Sequence, residues 1–457
     1  MRRAFARALR RLKRDERGAA LLIFTIALVP LLAVVAVGID LSRVLLIKQK
    51  LVNAADAAAL AVGTKPNLTS EEATAVAQSF IRAHYPDSYF GDLKSFSVST
   101  SSTQVSVSVT AQIPTTFLQV LNTQSLQVTV NAQAERPQRK LEVALVLDRT
   151  GSMAGQRIDD LKLAAKDLVD IVVWDNQTDA YYSKVAIVPY AAAVNVGGYA
   201  QQVRGGILSG LCLVPGCLQF QFQNALLQLK IRLITTCVSE RTGPHAFTDA
   251  PPTTALVGSN YLEAGNPCPS NVIVPLTNNK TLLKNEIDLL QASGSTAGHI
   301  GAAWGWYLLS PNWGYLWPAA SQPASYAELS KRDSRGLPLL QKFIVLMTDG
   351  AFNTAYCNGV ISRDSTSGSG SAAEHINCDA PNGHSFDQAE ALCGGAKAAG
   401  ITIYTVGFGI ADDQRARDVM ARCATDASHA YVASTGDELR QSFRDIATRI
   451  STLRLIN

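Results

Sequence analysis

The chain has 457 residues, 47% of them hydrophobic and 17% charged. It is too long for one ordinary domain and apolar enough to bury at least one large core. The formal net charge of +4 hides an asymmetry. Eight of the 41 bases (Arg2, Arg3, Arg7, Arg10, Arg11, Lys13, Arg14, Arg17) but only two of the 37 acids (Asp15, Glu16) lie in residues 1–17, leaving 33 bases against 35 acids beyond them. The basic excess is a short tail and not a face of a folded domain, which argues against nucleic-acid binding.

Residues 18–39, GAALLIFTIALVPLLAVVAVGI, carry no charge. As a helix they reach about 33 Å, enough to cross a hydrocarbon core of about 30 Å. Pro30, which would break a soluble helix, is tolerated in a membrane one. A cleaved secretory signal is the alternative, but its apolar region is ordinarily about 7–15 residues long and no small-x-small site closes this one. The basic flank predicts a cytoplasmic tail, with the chain from about residue 50 onward outside.

All eight cysteines (Cys212, Cys217, Cys237, Cys268, Cys357, Cys378, Cys393, Cys423) lie beyond that span. An even number in an oxidising compartment reads as disulfides. Zinc is the competing idea, yet only Cys212 and Cys217 approach ligand spacing and no second such pair accompanies them. The bridge expected first is Cys393–Cys423, on the helices before and after a strand at 401–408.

Residues 40–136 read as a small α+β juxtamembrane module. The membrane helix continues to about Val62 through leucines and alanines, Ser70-Glu71-Glu72 opens a helix to about His84, and residues 95–113 and 125–134 alternate apolar and polar as half-buried strands. From 139 to 457 the pattern becomes strand and helix in alternation. Strands are predicted at 141–147, 184–189, 343–347, 401–408 and 430–433, and helices at 157–174, 385–399, 412–423 and 437–452. That order argues a doubly wound parallel sheet with helices on both faces. Residues 195–282, rich in Gly, Pro, Asn and Gln, look like an insertion, and 351–384 form a long loop containing the low-complexity 365–371.

The strongest local signal is Asp148-Arg149-Thr150-Gly151-Ser152 at the end of the first strand of this domain. An aspartate followed at two-residue steps by two hydroxyls can turn three oxygens toward one point, at the sheet edge where such folds bind ligands. Thr296, after Gly294-Ser295, and Asp349, closing strand 343–347, occupy equivalent edges. Five hard oxygen donors without His or Cys suit Mg2+ first, with Mn2+ or Ca2+ possible, rather than zinc or copper. The plain alternative is that Asp148 and Asp349 only cap helices. Gly-x-Ser-x-Gly, Gly-x-x-x-x-Gly-Lys and His-Glu-x-x-His are all absent, so no enzyme is expected. His299, three residues after Thr296, is expected on a helix surface, with a place bordering the Thr296 loop as the alternative. Trp304, Trp306, Trp313 and Trp317 are expected in core packing, with a partner-binding aromatic patch as the alternative.

The oxygen pattern resembles the metal-ion-dependent adhesion site of von Willebrand factor A domains, Asp-x-Ser-x-Ser followed by a loop threonine and a later aspartate, with Thr150 in place of the first serine. The resemblance implies that Thr150 and Ser152 touch the metal, that Asp148 and Asp349 hold it directly or through water, and that Thr296 joins or withdraws. It also implies that a partner protein's carboxylate fills the last position. Over nearly its whole length the chain resembles TadG-like proteins of the tight-adherence (Flp) pilus assembly system. This rests on Arg14 to Ala20 with Ile39-Asp40-Leu41-Ser42-Arg43, on Ala303-Trp304-Gly305-Trp306 with Phe343 to Gly350, and on the closing Ile446 to Leu455. Relatives processed as prepilins carry a glutamate five residues after the cleavage glycine. Here Ile23 stands there, so such processing is not expected.

The resemblance implies a von Willebrand factor A-like domain on a single-pass inner-membrane anchor, with the N-terminus cytoplasmic and the bulk periplasmic. It further implies a role in pilus assembly through an acidic residue of a pilus or assembly protein, with no small-molecule substrate. A surface-displayed adhesin is the alternative, and a metal-dependent hydrolase a more distant one.

Overall fold

A computed structural model describes residues 19–65, 68–86, 91–101, 104–135, 139–175, 177–333 and 336–452. The basic tail and the end of the closing motif lie outside them. The chain forms two compact units, Met1–Pro137 and Gln138–Asn457.

In the first unit, helix α1 (Ala19–Gly63) runs unbroken for 45 residues, with Pro30 inside it. Its N-terminal half leaves Ile23, Phe24, Ile26, Val29, Leu31 and Leu32 exposed, and Val34 is 73% exposed. Such a row is unfavourable in water and favourable against lipid; the helix is long and apolar enough to cross a membrane. Its C-terminal half is different. Leu51, Ala54, Ala55, Ala58, Ala59 and Val62 are buried against α2 (Ser70–His84) and a three-stranded antiparallel sheet, β1 (Asp92–Thr100), β2 (Gln104–Pro114) and β3 (Ser125–Glu135). Thr69 and Glu72 close the start of α2 as a capping box, satisfying two helix-end donors.

In the second unit, β4 (Arg139–Asp148), β5 (Tyr181–Tyr190), β12 (Leu340–Thr348), β15 (Thr402–Phe408) and β16 (Ala430–Ala433) pair in parallel in the order β16-β15-β12-β4-β5. β11 (Val274–Thr277) pairs antiparallel beyond β5. Alternate residues of β4 enter two cores. Leu141, Val143, Leu145 and Leu147 face α3 (Gln156–Val172), α5 (Lys280–Asp288) and α9 (Gly436–Thr452). Ala144 and Val146 face α6 (Gly298–Leu309), α7 (Ser385–Ala398) and α8 (Gln414–Cys423). This is a doubly wound, mostly parallel sheet, and burial on both faces explains its continuous apolar strands.

α6 packs tightly on β4. A Cβ added at Gly305 would meet Val146 at 2.6 Å, and one at Gly301 would meet Tyr190 at 2.8 Å. His299, expected on a helix surface, is fully buried, because every residue of α6 is enclosed; its Nε2 lies 3.6 Å from Glu240 Oε2. The four clustered tryptophans are buried too, with Trp313 stacked on Tyr307 at 4.2 Å. They are core and not an exposed patch.

Residues after β5 build β6 (Val194–Asn195), the short α4 (Ala200–Arg204), β7 (Leu208–Cys212), β8 (Cys217–Gln223), β9 (Leu229–Ser239) and β10 (Gly258–Tyr261), extending the sheet past β5. The loop after β12 carries a small hairpin, β13 (Tyr356–Cys357) and β14 (Val360–Ile361). Disulfides join Cys212–Cys217, Cys237–Cys268, Cys357–Cys378 and Cys393–Cys423. The last ties α7 to α8 as expected, and a closed loop of this size contributes roughly 3–4 kcal/mol in the chain-entropy model.

A fully buried ion pair braces the centre of the sheet. Lys342 Nζ bonds Glu142 Oε2 and the Leu309 carbonyl, while Glu142 Oε1 accepts from Tyr182 Oη and the Ala324 amide. Removing one partner strands the other charge. Lys342→Met is expected to cost about 3–5 kcal/mol in thermal or denaturant unfolding, and adding Glu142→Gln to recover part of that loss.

Candidate functional site

The site follows from strand order. β4 leads through α3 to β5 on one side, and β12 leads through α7 to β15 on the other, so the connections leaving the neighbouring strands β4 and β12 run in opposite directions. Such a switch point leaves a crevice. Asp148 ends β4, and Asp349 follows Thr348 at the end of β12.

Asp148 is buried and fully engaged. Its Oδ1 accepts from the Thr150 amide at 2.9 Å; its Oδ2 lies 2.8 Å from Thr348 Oγ1 and 3.1 Å from Tyr190 Oη. Ser152 Oγ donates to Asp349 Oδ1 at 2.6 Å and lies 3.0 Å from Thr150 Oγ1. The other oxygen, Asp349 Oδ2, meets Arg157 Nη1 at 3.0 Å. The Asp349 side chain is 0% exposed and that of Arg157 43%. Arg149 instead turns its guanidinium to the Gln291 carbonyl.

The Thr296 loop is stitched to the same edge. The Gly151 amide donates to Gly294 O at 2.8 Å and the Ser293 amide to Arg149 O at 2.8 Å. Thr296 is gripped through its backbone, its amide by Asn353 Oδ1 and its carbonyl by the amides of Asn353 and Thr354. Asn266, from the inserted segment, accepts from both the amide and the hydroxyl of Ser295. The structure therefore gathers Asp148, Thr150, Ser152 and Asp349 into one hydrogen-bonded group, and ties the backbone of the Thr296 loop to Gly151 within it.

Sequence reasoning missed Arg157, Tyr190, Thr348, Asn266 and Asn353. For Arg157 a signal existed, a lone base one turn past the hydroxyl loop. The others reach the site only through tertiary packing.

The donor set fits a hard divalent cation. The described contacts hold two buried carboxylates and two hydroxyls at the group's centre, with oxygen donors throughout and one guanidinium as counter-charge. Among the described residues no group of three or more His, Cys, Asp or Glu suits a metal. Burial first, and the Asp349 carboxylate second, push Asp148 up to about 6, since desolvation and a like charge both oppose its ionised form.

Residues 18–65 match a family model described as putative Flp pilus-assembly TadE/G-like. That match covers the apolar helix α1 and not the rest of the chain. No curated protein matches the chain. Among solved structures, the von Willebrand factor domain of the type V pilus tip protein Mfa5 from Porphyromonas gingivalis is 12% identical, with a TM-score of 0.39 over 69% of this chain and 96% of that one. The pilus adhesin SpaC from Lactobacillus rhamnosus GG is 13% identical, with a TM-score of 0.35 over 80% of this chain and 35% of SpaC, so the chain spans about a third of that adhesin's length. Proximal thread matrix protein 1 of the mussel byssus, in a form with a zinc-occupied adhesion-site motif, is 13% identical, with a TM-score of 0.32 over 70% of this chain and 49% of that one.

The raised Asp148 gives a pH test. In the cation-free protein, between about pH 4 and 6, the folded state holds a proton that the unfolded chain has released, so stability falls as pH rises through about 6. The loss is roughly 2–3 kcal/mol. Thermal unfolding in EDTA, followed by the fluorescence of the buried tryptophans, is expected to show this slope. Asp148→Asn is expected to flatten it.

Proposed function

We propose that this protein is a membrane-anchored, periplasm-facing assembly or binding protein of a Tad/Flp-type pilus system, and that it engages a partner's acidic side chain through a divalent cation. The cation-holding residues are Asp148, Thr150, Ser152, Thr296 and Asp349, with Mg2+ the best match to hard oxygen donors. The observation that carries the reading is the hydrogen-bonded relay from Thr150 through Ser152 to Asp349, beside buried Asp148, at the C-terminal edge of the paired strands β4 and β12. The TadE/G-like anchor supports the cellular setting.

A bound dication supplies positive potential toward an incoming carboxylate. The chain's own residues set how much remains. Asp148 and Asp349 together balance a dication, and Arg157 on Asp349 adds one positive charge at the rim. A partner's carboxylate neutralises that excess in a crevice whose buried walls screen it poorly. Thr348 and Tyr190 hold Asp148 in place from within the sheet.

Pulldown of pilus or assembly proteins with the full chain is expected to fall several-fold in EDTA and with Asp148→Ala; unchanged recovery in both contradicts the metal bridge. Arg157→Gln separates the two roles of charge. It is expected to tighten Mn2+ binding several-fold, since a competing cation leaves Asp349, while weakening recovery of the acidic partner. A change of both in the same direction contradicts the proposed part played by Arg157.

A further inference from the structure

The junction between α1 and the small sheet holds a contact that the functional reading does not use. Asp40 is the first charged residue after the apolar stretch 18–39, yet it is only 3% exposed. Its Oδ1 accepts from the Thr116 amide at 3.1 Å, and its Oδ2 from the amides of Phe117 and Leu118 at 2.8 and 2.9 Å. One turn later Arg43 Nη1 donates to Thr116 Oγ1 at 2.8 Å. The loop between β2 and β3 is thereby clasped to α1 at the level where the apolar stretch ends.

That loop, residues 115–124, reads TTFLQVLNTQ and contains no charge. It braces itself, with Gln119 Nε2 donating to the Thr115 carbonyl at 2.6 Å and a 3-10 turn over Leu118–Leu121. Phe117 is 41% exposed. Both sides of the clasp make sense at a lipid boundary. A carboxylate at the edge of hydrocarbon and three unpaired amides beside it would each be costly there, and each satisfies the other. An uncharged loop bearing an outward aromatic is the composition found at membrane–water interfaces.

We propose that the β2–β3 loop is a membrane contact, with Phe117 seated at the headgroup–hydrocarbon boundary of the bilayer that α1 crosses and Asp40 acting as the clasp that holds it there. This rests on α1 spanning the bilayer. The small unit then stands on the membrane at two points, the helix and the loop, so its sheet keeps a fixed attitude to the lipid surface.

The eight native cysteines are paired, so an introduced cysteine is the one thiol open to labelling. The full chain is reconstituted in phosphatidylcholine–phosphatidylglycerol vesicles with a nitrobenzoxadiazole label at Phe117→Cys, at Leu32→Cys within the span, or at Asp56→Cys. Asp56 is exposed and lies about 24 Å past Asp40 along α1. Quenching is read with iodide on both sides and with lipids carrying a shallow nitroxide.

The label at 117 is expected to be quenched by the nitroxide several-fold more than the label at 56, and by iodide several-fold less. Asp40→Asn, which loosens the clasp, is expected to raise iodide quenching at 117 and leave the label at 32 unchanged. If 117 behaves like 56 while 32 stays in lipid, the loop contact is wrong and the anchor stands. If 117 is shielded from both quenchers, protein covers the loop and the lipid contact is overturned. If the label at 32 is itself open to iodide, α1 does not span and both readings fall.

Discussion

The second unit is organised around two carboxylates that its sheet order forces together. Asp148 and Asp349 end neighbouring parallel strands, are buried, and repel each other strongly enough to help raise Asp148 to about 6. A folded chain tolerates such a pair only if other groups hold it. Here Thr348, Tyr190 and the Thr150 amide hold Asp148, while Ser152 and Arg157 hold Asp349. Those bonds order the hydroxyl loop, and the hydroxyl loop is bonded through Gly151 to the loop of Thr296. Much of the local architecture is thus the set of bonds that keeps two acids side by side.

Much of this was legible in the sequence because its signals are local. The 22 uncharged residues, the apolar runs of β4 and β12 and the step-two spacing of Asp148, Thr150 and Ser152 each lie within a few consecutive residues. The unbroken run of α1 from its apolar half into its packed half was legible as well, since alanines and leucines continue without a breaker to Val62. Asp349 and Thr296 were singled out because each follows a recognisable strand or precedes a recognisable helix; the structure joins the Asp349 side chain to Ser152 and holds Thr296 through its backbone.

What escaped was non-local. Tyr190 and Thr348 look like ordinary strand residues until the order of strands sets them against Asp148. Asn266 lies in a stretch whose Gly, Pro, Asn and Gln content suggested irregularity, yet it fixes Ser295 next to Thr296. Within the low-complexity residues 365–371, Ser369 is buried and its carbonyl receives the side-chain amide of Asn266. His299 was misjudged because a lone histidine near a helix start was assumed to face water, although the helix GHIGAAWGWYLL has no other polar side chain in its first turns. Gly301 and Gly305 let α6 press onto β4 while α7 covers it, and the ring is enclosed.

The most direct test of the account is a crystal of the second unit's fold within the full chain, soaked in Mn2+ and measured for anomalous scattering. The account predicts one strong peak in the crevice between β4 and β12, bonded to the Ser152 and Thr150 hydroxyls, with Arg157 displaced from Asp349 or sharing it. No peak there at saturating Mn2+, with Arg157 still paired to Asp349 and Ser152 still donating to it, would contradict the account.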